Sequence, residues 1–338
     1  SIRIRAGEEQ ELFLDVPVSG TIYGEKTAQK DVIPVNLNRP LTVQASQIQD
    51  YTMDVKLFGI VPFKQVDVHV VEGQRLIPAG VPVGIYIKTE GILVIAESDF
   101  EGLDHSRKEP ARHLLMAGDY ILKVDGVELE GKKQFTEQVA ASEGKELCLT
   151  ICRDGQTFDV MVTPQQNTEG VYKLGIWIRD NAQGVGTMTY LDEKNGFGAL
   201  GHGINDTDTA DLMEVQSGSL YKTKIVNIRK GISGTPGELT GVIDYKKENR
   251  IGVISINSVE GIFGTLSQEE ADEIQGEALP VGLKQEVKKG EAQILSCLEE
   301  DGAPQLYTIE IKALHLDHDN INRGIEIQVT DERLLEKT

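Results

Sequence analysis

Residues 196–206 read Gly196-Phe197-Gly198-Ala199-Leu200-Gly201-His202-Gly203-Ile204-Asn205-Asp206, a run of small residues that contains one histidine. Residues 186–196 combine a β-rich half with a charged turn ending in Asn-Gly, which is typical of a β-hairpin. The returning strand then places His202 at a strand end, where the glycines on either side leave its ring open to a cleft. The pattern predicts a β-rich domain with His202 as a candidate functional residue, although a histidine between glycines can also simply fill a turn.

Gly196, Gly198 and Gly201 also spell the G-x-G-x-x-G pattern of dinucleotide-binding folds. That fingerprint needs a strand before it and a helix opening after it. A polar hairpin turn precedes these glycines and a polar run, residues 205–209, follows them. The sequence therefore disfavours a dinucleotide site.

Length, composition and charge limit the kinds of protein that this sequence can encode. The 338 residues suffice for two or three domains, and 39% hydrophobic residues, 5% aromatic residues and 35 glycines favour a turn-rich, mainly β protein. The net charge of −20 excludes nucleic acid and anionic membrane surfaces as expected partners. No apolar run is long enough to span a membrane, and the start at Ser1 leaves room for a leader or anchor that has been removed. The cysteines Cys148, Cys152 and Cys297 lack metal-ligand spacing and are interpreted as core residues.

Residues 1–75 alternate apolar and polar positions in short segments separated by prolines, which predicts a small β-sandwich-like N-terminal domain.

Residues 76–165 follow a different pattern. A loop over 77–87 precedes a buried strand at 91–95, a short helix follows Pro110 through residues 111–116, and a second helix carries Phe135 and Val139. Residues 147–162 form a predicted hairpin around Asp154-Gly155.

The segments Ala117-Gly118-Asp119-Tyr120-Ile121 and Val124-Asp125-Gly126, with that hairpin, resemble a PDZ domain of the bacterial, circularly permuted kind, an α+β fold. The resemblance implies a peptide ligand that adds as a strand to a sheet edge. It also implies that the carboxylate of the peptide binds at Val83, Gly84 and Ile85. The alternative is a PDZ fold that serves only as an intramolecular brace.

Residues 166–338 contain predicted strands at 174–180, which holds the single tryptophan Trp177, and at 224–228, 251–257 and 307–313. Ser267, with Glu270 three residues later, predicts a capping box that opens a helix over 268–274. Several short strands with a histidine at a strand end favour a β-barrel hydrolase.

Specific motifs carry a second resemblance: Leu174-Gly175-Ile176-Trp177-Ile178-Arg179-Asp180, Phe197-Gly198-Ala199-Leu200-Gly201-His202-Gly203-Ile204, Pro236-Gly237-Glu238 and Thr330-Asp331-Glu332-Arg333-Leu334-Leu335. They resemble the stage IV sporulation protein B family, and residues 55–62 extend the match into the N-terminal region. The resemblance implies a PDZ-containing serine peptidase with a trypsin-like β-barrel peptidase domain.

By this resemblance His202 is the general base and Asp331 the triad acid that fixes the imidazole tautomer. Asp331 can equally cap a helix over 332–336, and Asp206 and Asp208 remain competitors for the acid. No cofactor is implied. A metal site at His315 and His318 is disfavoured, because residues three apart on a strand point to opposite faces.

The nucleophile departs from the family pattern. Ser233 lies in a G-x-S-G-x-P loop, Gly231-Ile232-Ser233-Gly234-Thr235-Pro236, but follows His202 too closely for a trypsin-like barrel. The family's own serine follows a segment that matches residues 333–338. We therefore expect that the nucleophile and the last strands are missing, that the 338-residue chain is inactive, and that exposed strand edges allow self-association. Ser233 is then a turn residue.

The resemblance implies export from the forespore into the space between two membranes, with membrane anchoring of the natural protein. The enzyme there processes itself and cleaves a membrane-bound regulatory protein, which signals activation of a late transcription factor, while the PDZ domain holds the protease through a peptide. The alternatives are a non-enzymatic PDZ peptide-binding or scaffold protein and a hydrolase that uses Ser233.

Overall fold

The computed structural model describes residues 1–12, 18–24, 33–36, 41–45, 47–232, 234–274, 276–299, 303–315 and 324–337. These residues form mainly β-strands, which confirms the mainly β class that the composition predicts. Within them, none of the helices has the length and apolar composition needed to cross a membrane.

The N-terminal strands build two sheets around one apolar core. They are β1 (Ile2–Arg5), β2 (Glu9–Leu12), β3 (Val18–Gly24), β4 (Ile33–Asn36), β5 (Leu41–Gln44), β6 (Asp50–Leu57) and β7 (Val61–Val71). One sheet has the order β1-β7-β6-β3-β4, and β2 pairs with β5. Alternation turns Met53, Val55 and Val68 inward, and Val43 of the smaller sheet packs against them.

The remaining strands and helices are, in chain order, β8 (Arg75–Glu97), β9 (Phe100–Glu101), β10 (Arg107–Lys108), β11 (Tyr120–Val124), β12 (Val127–Glu128), α1 (Lys132–Ala141), β13 (Leu147–Arg153), β14 (Gln156–Val162), β15 (Gln165–Gln166), β16 (Tyr172–Lys173), β17 (Ile176–Leu191), β18 (Gly196–Ala199), β19 (Val215–Arg229), β20 (Glu238–Ile243), β21 (Arg250–Ser258), β22 (Gly261–Leu266), α2 (Gln268–Glu273), β23 (Leu279–Pro280), β24 (Gly290–Ser296), β25 (Gln305–Leu314), β26 (Ile325–Val329) and α3 (Glu332–Lys337). Short 3-10 helices lie at Lys247–Asn249 and Lys284–Glu286.

A closed ring of six strands forms the centre of the molecule. Its order is β8-β17-β18-β22-β21-β19, and β19 pairs back onto β8. Closure removes the free strand edges, and the inward-facing side chains fill the interior. Ile87, Met188, Leu220 and Ile262 are among its fully buried side chains.

Strand β8 corrects the prediction of a loop over residues 77–87. It is one strand of 23 residues, which pairs with β17 along most of its length and with β19 between Val83 and Thr89. Pro78 and Pro82 lie in the part that β19 does not reach, where a missing N–H is tolerated. The residue pattern resembled a loop because it places prolines in the stretch of the strand that β19 does not pair.

Beyond Thr89 the same strand enters a second unit, in which the sheet continues through β11, β13 and β14. Ile92, Ile121 and Leu149 form its core with Phe135 and Val139 of α1, as the helical spacing predicts. Because β8 belongs to both units, the predicted boundary between 76–165 and 166–338 does not separate two sheets.

The predicted helix over residues 111–116 is a set of turns instead. Within the segment the N–H groups of Leu114 and Leu115 donate to the carbonyl of Ala111 at 2.9 and 3.1 Å. Both ends bond outside it: the N–H of Ala111 donates to the carbonyl of Leu174 at 3.1 Å, and the N–H of Met116 donates to the Asp119 carboxylate at 2.8 Å. Tertiary partners therefore override the local helix signal.

Replacing Arg153 by methionine is expected to destabilise the second unit by about 3 kcal/mol, because it leaves the fully buried carboxylate of Asp119 without its cationic partner. Two Arg153 nitrogens donate to Asp119 at 2.6 and 2.7 Å. Amide exchange of β11 and β13 measures the loss. The control Lys133→Met removes an exposed ion pair with Glu137 and should change protection by less than about 1 kcal/mol; equal effects would contradict the assignment.

The C-terminal residues form a three-stranded sheet, β24-β25-β26, with α3 beside it. Leu298, Tyr307 and Leu334 are buried there, and Ile228 of β19 packs against them. Helix α2 starts at the predicted capping residue, since the Ser267 hydroxyl accepts the N–H of Glu270 at 3.4 Å.

Candidate active site

The hairpin β17–β18 positions His202 at one end of the six-stranded ring. Leu191 pairs with Phe197, as the hairpin prediction requires, and β18 ends at Ala199. The chain then turns through Leu200 and Gly201, both with positive φ, while the N–H of Leu200 donates to the Thr187 carbonyl at 3.0 Å. His202 is therefore presented on a turn that is tied to the ring.

The imidazole of His202 is exposed, and its Nδ1 lies 2.9 Å from the carbonyl oxygen of Gly203. A carbonyl can only accept, so Nδ1 carries the hydrogen in this contact. In the neutral ring Nε2 then holds the lone pair and faces solvent. Among the described residues, this carbonyl is the ring's only hydrogen-bond partner. The arrangement gives His202 the tautomer that a general base at Nε2 needs.

The loop after His202 is fixed by Asn257 of β21. Its carboxamide accepts the N–H of Ile204 at 2.8 Å and donates to the carbonyls of Ile204 and Met213, both at 2.9 Å. Gly203 lies so close to this strand that an added Cβ would sit 2.6 Å from the Ser258 carbonyl oxygen. The glycine that the sequence places after His202 is thus required by packing.

Asp206 and Asp208 follow in the same loop, and both pair with Arg179 of β17. Arg179 donates to Asp206 at 2.5 Å and to Asp208 at 3.1 Å. The second oxygen of Asp206 accepts the N–H groups of Asp208 and Thr209, and its side chain is almost fully buried. These bonds make Asp206 a structural anchor of the loop, and no hydrogen bond joins either carboxylate to His202.

Asp331 caps α3 in this structure. One carboxylate oxygen accepts the N–H and the Nε–H of Arg333 at 3.0 Å each, and the other accepts Arg333 Nη2 at 2.8 Å and the N–H of Thr308 at 3.4 Å. The helix-cap alternative accounts for this geometry. No hydrogen bond or ion pair joins Asp331 to His202, so the two predicted catalytic residues are not brought together.

The Arg333 guanidinium, followed by the backbone N–H groups of Thr308 and Arg333, lowers the pKa of Asp331 to about 2. A depressed carboxyl pKa stabilises the fold above the unfolded value of about 4, and this contribution is lost as pH falls towards 2. We therefore expect amide protection of α3, corrected for intrinsic exchange, to fall between pH 4 and pH 2. Asp331→Asn should abolish this pH dependence; an unchanged profile in that variant would refute the cause.

The predicted carboxylate-binding residues need correction. Val83 and Ile85 are buried inside the ring, and Gly84 lies against Ile243. All three pair with β17 on one side and with β19 on the other. A peptide adds only to a free edge, so Val83, Gly84 and Ile85 do not receive one here.

Two further sequence candidates resolve as follows. Ser233 lies outside the described residues, while its neighbours Ile232 and Thr235 exchange two backbone hydrogen bonds at the tip of the β19–β20 hairpin. His318 also lies outside them, and His315 has Glu326 as a partner at 3.3 Å. No group of three or more metal-ligating side chains occurs in the described parts of the chain.

Sequence reasoning missed Arg179 and Asn257. A signal for Arg179 was available, because this cation interrupts the apolar alternation of residues 174–180 and two carboxylates follow His202. Asn257 gave none, since a polar residue near a strand end is ordinary.

Comparison with known families decides the class. The family model described as SpoIVB peptidase S55 matches residues 170–338, half of the chain. The chain belongs to the SpoIVB peptidase family. The matched residues include β17, the His202 loop, Asn257 and Asp331, so the match covers the whole candidate site. Family membership places residues 170–338 among the SpoIVB peptidases.

The SpoIVB-family chain is also similar to the chloroplastic membrane metalloprotease ARASP of Arabidopsis thaliana, with 32% identity over 78 residues. The alignment covers 22% of this chain and 17% of that relative. The chain thus spans less than a fifth of the curated relative it matches, and the name of the relative describes that protein alone.

Proposed function

We propose that this protein is a serine endopeptidase of sporulation signalling in which His202 is the general base. The observation that carries the proposal is the bond from Nδ1 to the Gly203 carbonyl, which leaves Nε2 as the proton acceptor on an exposed turn. The closed six-stranded ring supports the proposed trypsin-like β-barrel.

In the proposed reaction Nε2 removes the proton from a serine Oγ as that oxygen attacks the scissile carbonyl carbon, and then gives the proton to the leaving amine. Asp331 is proposed as the acid that accepts the Nδ1 hydrogen. For that role it must exchange Arg333 for His202, while His202 exchanges the Gly203 carbonyl for the carboxylate. Activation is thus proposed to include a rearrangement of α3.

We further propose that the enzyme processes its own chain and cleaves a membrane-bound regulatory protein, and that the second unit controls it by binding a peptide. An apolar groove of about 420 Å³ beside α1, lined by residues that include Phe135, Val139 and Ile176, supports this role.

The test uses the natural protein, purified from cells, beside the 338-residue chain. A serine-directed fluorophosphonate should label one serine, which mass spectrometry locates, and the labelled protein should lose cleavage of itself and of the regulatory protein. Labelling that survives Ser233→Ala would exclude Ser233 as the nucleophile. Cleavage that continues unchanged after treatment with the fluorophosphonate would refute the serine mechanism.

A further inference from the structure

The hairpin of β6 and β7 extends beyond the apolar core of the N-terminal unit. Val55 is the last buried residue of β6, whereas residues 58–65 are all exposed. Strand pairing nevertheless continues to Leu57 opposite Val61, and the N–H of Ile60 donates to the Leu57 carbonyl at 3.1 Å to close the turn. The end of the hairpin is therefore held by its own hydrogen bonds and not by burial.

Residues 58–63, which we call the apolar tip, read Phe-Gly-Ile-Val-Pro-Phe. Phe58 has 75% and Ile60 has 82% of its surface exposed, and Val61 and Phe63 are more than half exposed. Residues 60–63 thus form an unbroken apolar run that faces solvent. Soluble proteins avoid such runs unless they serve an interaction.

Phe58 also adopts a backbone conformation that is unfavourable for a bulky residue. Its φ is +51°, and Gly59 beside it has a φ of +74°. A turn with two positive φ values favours Asn-Gly, because asparagine and glycine enter the left-handed region most easily. The Phe58 ring is mostly exposed, so burial within the chain does not offset this cost. An aromatic ring here fits a contact that the folded chain itself does not make.

The charge around the apolar tip differs from that of the chain as a whole. The chain has 54 acidic residues and a net charge of −20, yet residues 55–66 contain no acidic residue. Lys56 and Lys64 flank the tip, one on each strand. The hairpin is therefore apolar at its end and basic just below it.

A polar network braces the base of this hairpin. Asp54 accepts the Tyr23 hydroxyl at 3.3 Å and the Gln65 carboxamide at 3.2 Å, and Gln65 also donates to the Tyr23 oxygen at 2.9 Å. These bonds join β3, β6 and β7 next to the two lysines. The tip is thus presented on a fixed support, and a partner gains its apolar contacts without the entropic cost of ordering a loop.

The shape of the apolar tip favours a lipid bilayer over a folded protein as its partner. Its apolar side chains come from the turn and from the strand after it, where a shift in pairing makes Phe63 the extra residue of a β-bulge. A folded partner would cover one face or one edge of the hairpin, whereas fluid acyl chains surround an inserted tip on all sides. From Lys56 to the turn is three residues, about 10 Å, which matches the depth of interfacial segments.

We propose that the apolar tip inserts into the interfacial layer of phospholipid bilayers, with Phe58 and Ile60 among the acyl chains and Lys56 and Lys64 at the level of the lipid phosphates. The net charge of −20 repels the rest of the molecule from an anionic surface, which confines contact to this hairpin. Insertion orients the N-terminal unit on the membrane. It goes beyond the proposed peptidase function and is independent of it.

Flotation of the 338-residue chain with unilamellar vesicles of phosphatidylcholine tests the proposal. Phe58→Asn with Ile60→Ser should lower the partition coefficient at least about tenfold, because two apolar side chains are lost. Asparagine suits the positive φ of residue 58, so amide exchange of β6 and β7 should not increase. The control Ile48→Ser removes a similarly exposed side chain just before β6 and should leave partitioning within about twofold. Absence of flotation, or equal losses in both variants, would overturn the proposal.

A second variant reports insertion without removing apolar surface. Phe58→Trp with Trp177→Phe moves the single tryptophan of the chain to the tip. Vesicles should shift its emission to shorter wavelength, and phosphatidylcholine with brominated acyl chains should quench it at least about twofold. The unmodified chain, whose tryptophan is exposed at residue 177, should show neither change. If the emission from residue 58 is unaffected by vesicles, the tip does not insert.

Ionic strength and protein concentration distinguish a bilayer from other partners. Apolar insertion is not screened, so partitioning into phosphatidylcholine should change less than about twofold between about 0.05 and about 0.5 M salt. A steep fall with salt would show adsorption through the lysines alone and would contradict insertion. Sedimentation velocity tests a second copy as the occupant: a dimer that Phe58→Asn with Ile60→Ser dissociates would also overturn the proposal. None of these readouts uses cleavage, so failure of the peptidase assignment gives a different result.

Discussion

His202→Ala is expected to lower kcat/KM for cleavage by the natural protein at least about a thousandfold. The loss follows from the proton that Nε2 removes from the attacking hydroxyl, for which alanine offers no acceptor. Cleavage of a labelled peptide that the natural protein is first shown to cut measures the loss, and near-unchanged binding of that peptide shows that the site is intact.

The matched control is His105→Ala, because His105 is exposed and its Nδ1 pairs with Glu101 on the surface of the second unit at 2.6 Å. It should leave kcat/KM within about twofold. If the two alanine variants behave alike, or if His202→Ala keeps its activity, the general-base assignment is refuted.

Arg179→Met is expected to reduce the stability of the His202 loop by about 3 kcal/mol or more. The cause is the carboxylate of Asp206, which is 2% exposed and loses its cationic partner. Exchange of the amides in residues 203–213 should rise by at least about a hundredfold, and cleavage should fall with it because His202 precedes this loop.

Two further variants distinguish two causes of the expected loss: an unpaired buried charge at Asp206 and a general disruption of β17. Asp208→Asn removes the exposed partner of Arg179 and should cost less than about 1 kcal/mol. Arg179→Met combined with Asp206→Asn removes both charges and should recover most of the loss. A double variant no better than Arg179→Met alone would show that the ion pair is not the reason.

Patterns within a few neighbouring residues were enough to predict the tight turns and helix α1. The turns at Asp125-Gly126 and Asp154-Gly155 have positive φ at both residues, as their sequences require, and α1 buries Phe135 and Val139. Strand β8 could not be predicted in the same way. Whether its prolines face a neighbour depends on where β19 stops, and that is a property of pairing between segments far apart in the chain.

The site shows the same division. His202 lies at the strand end that the hairpin and the glycines indicated. Arg179 escaped notice because its partner Asp206 lies 27 residues away and the bond forms only once β17 and the loop are placed. Asp331 carried two readings from the outset, and the geometry of its bonds to Arg333 and Thr308 fits the helix cap, while its catalytic role stays a prediction.

The unbroken course of β8 bears on how the protein can be dissected. A fragment of residues 76–165 would keep residues 83–89 but lose β17 and β19, which pair with both of their edges. Two unsatisfied rows of backbone donors and acceptors would then recruit other chains and cause aggregation. The two units share one continuous strand, β8, instead of being joined by a flexible linker. Coupling between them therefore does not depend on linker length.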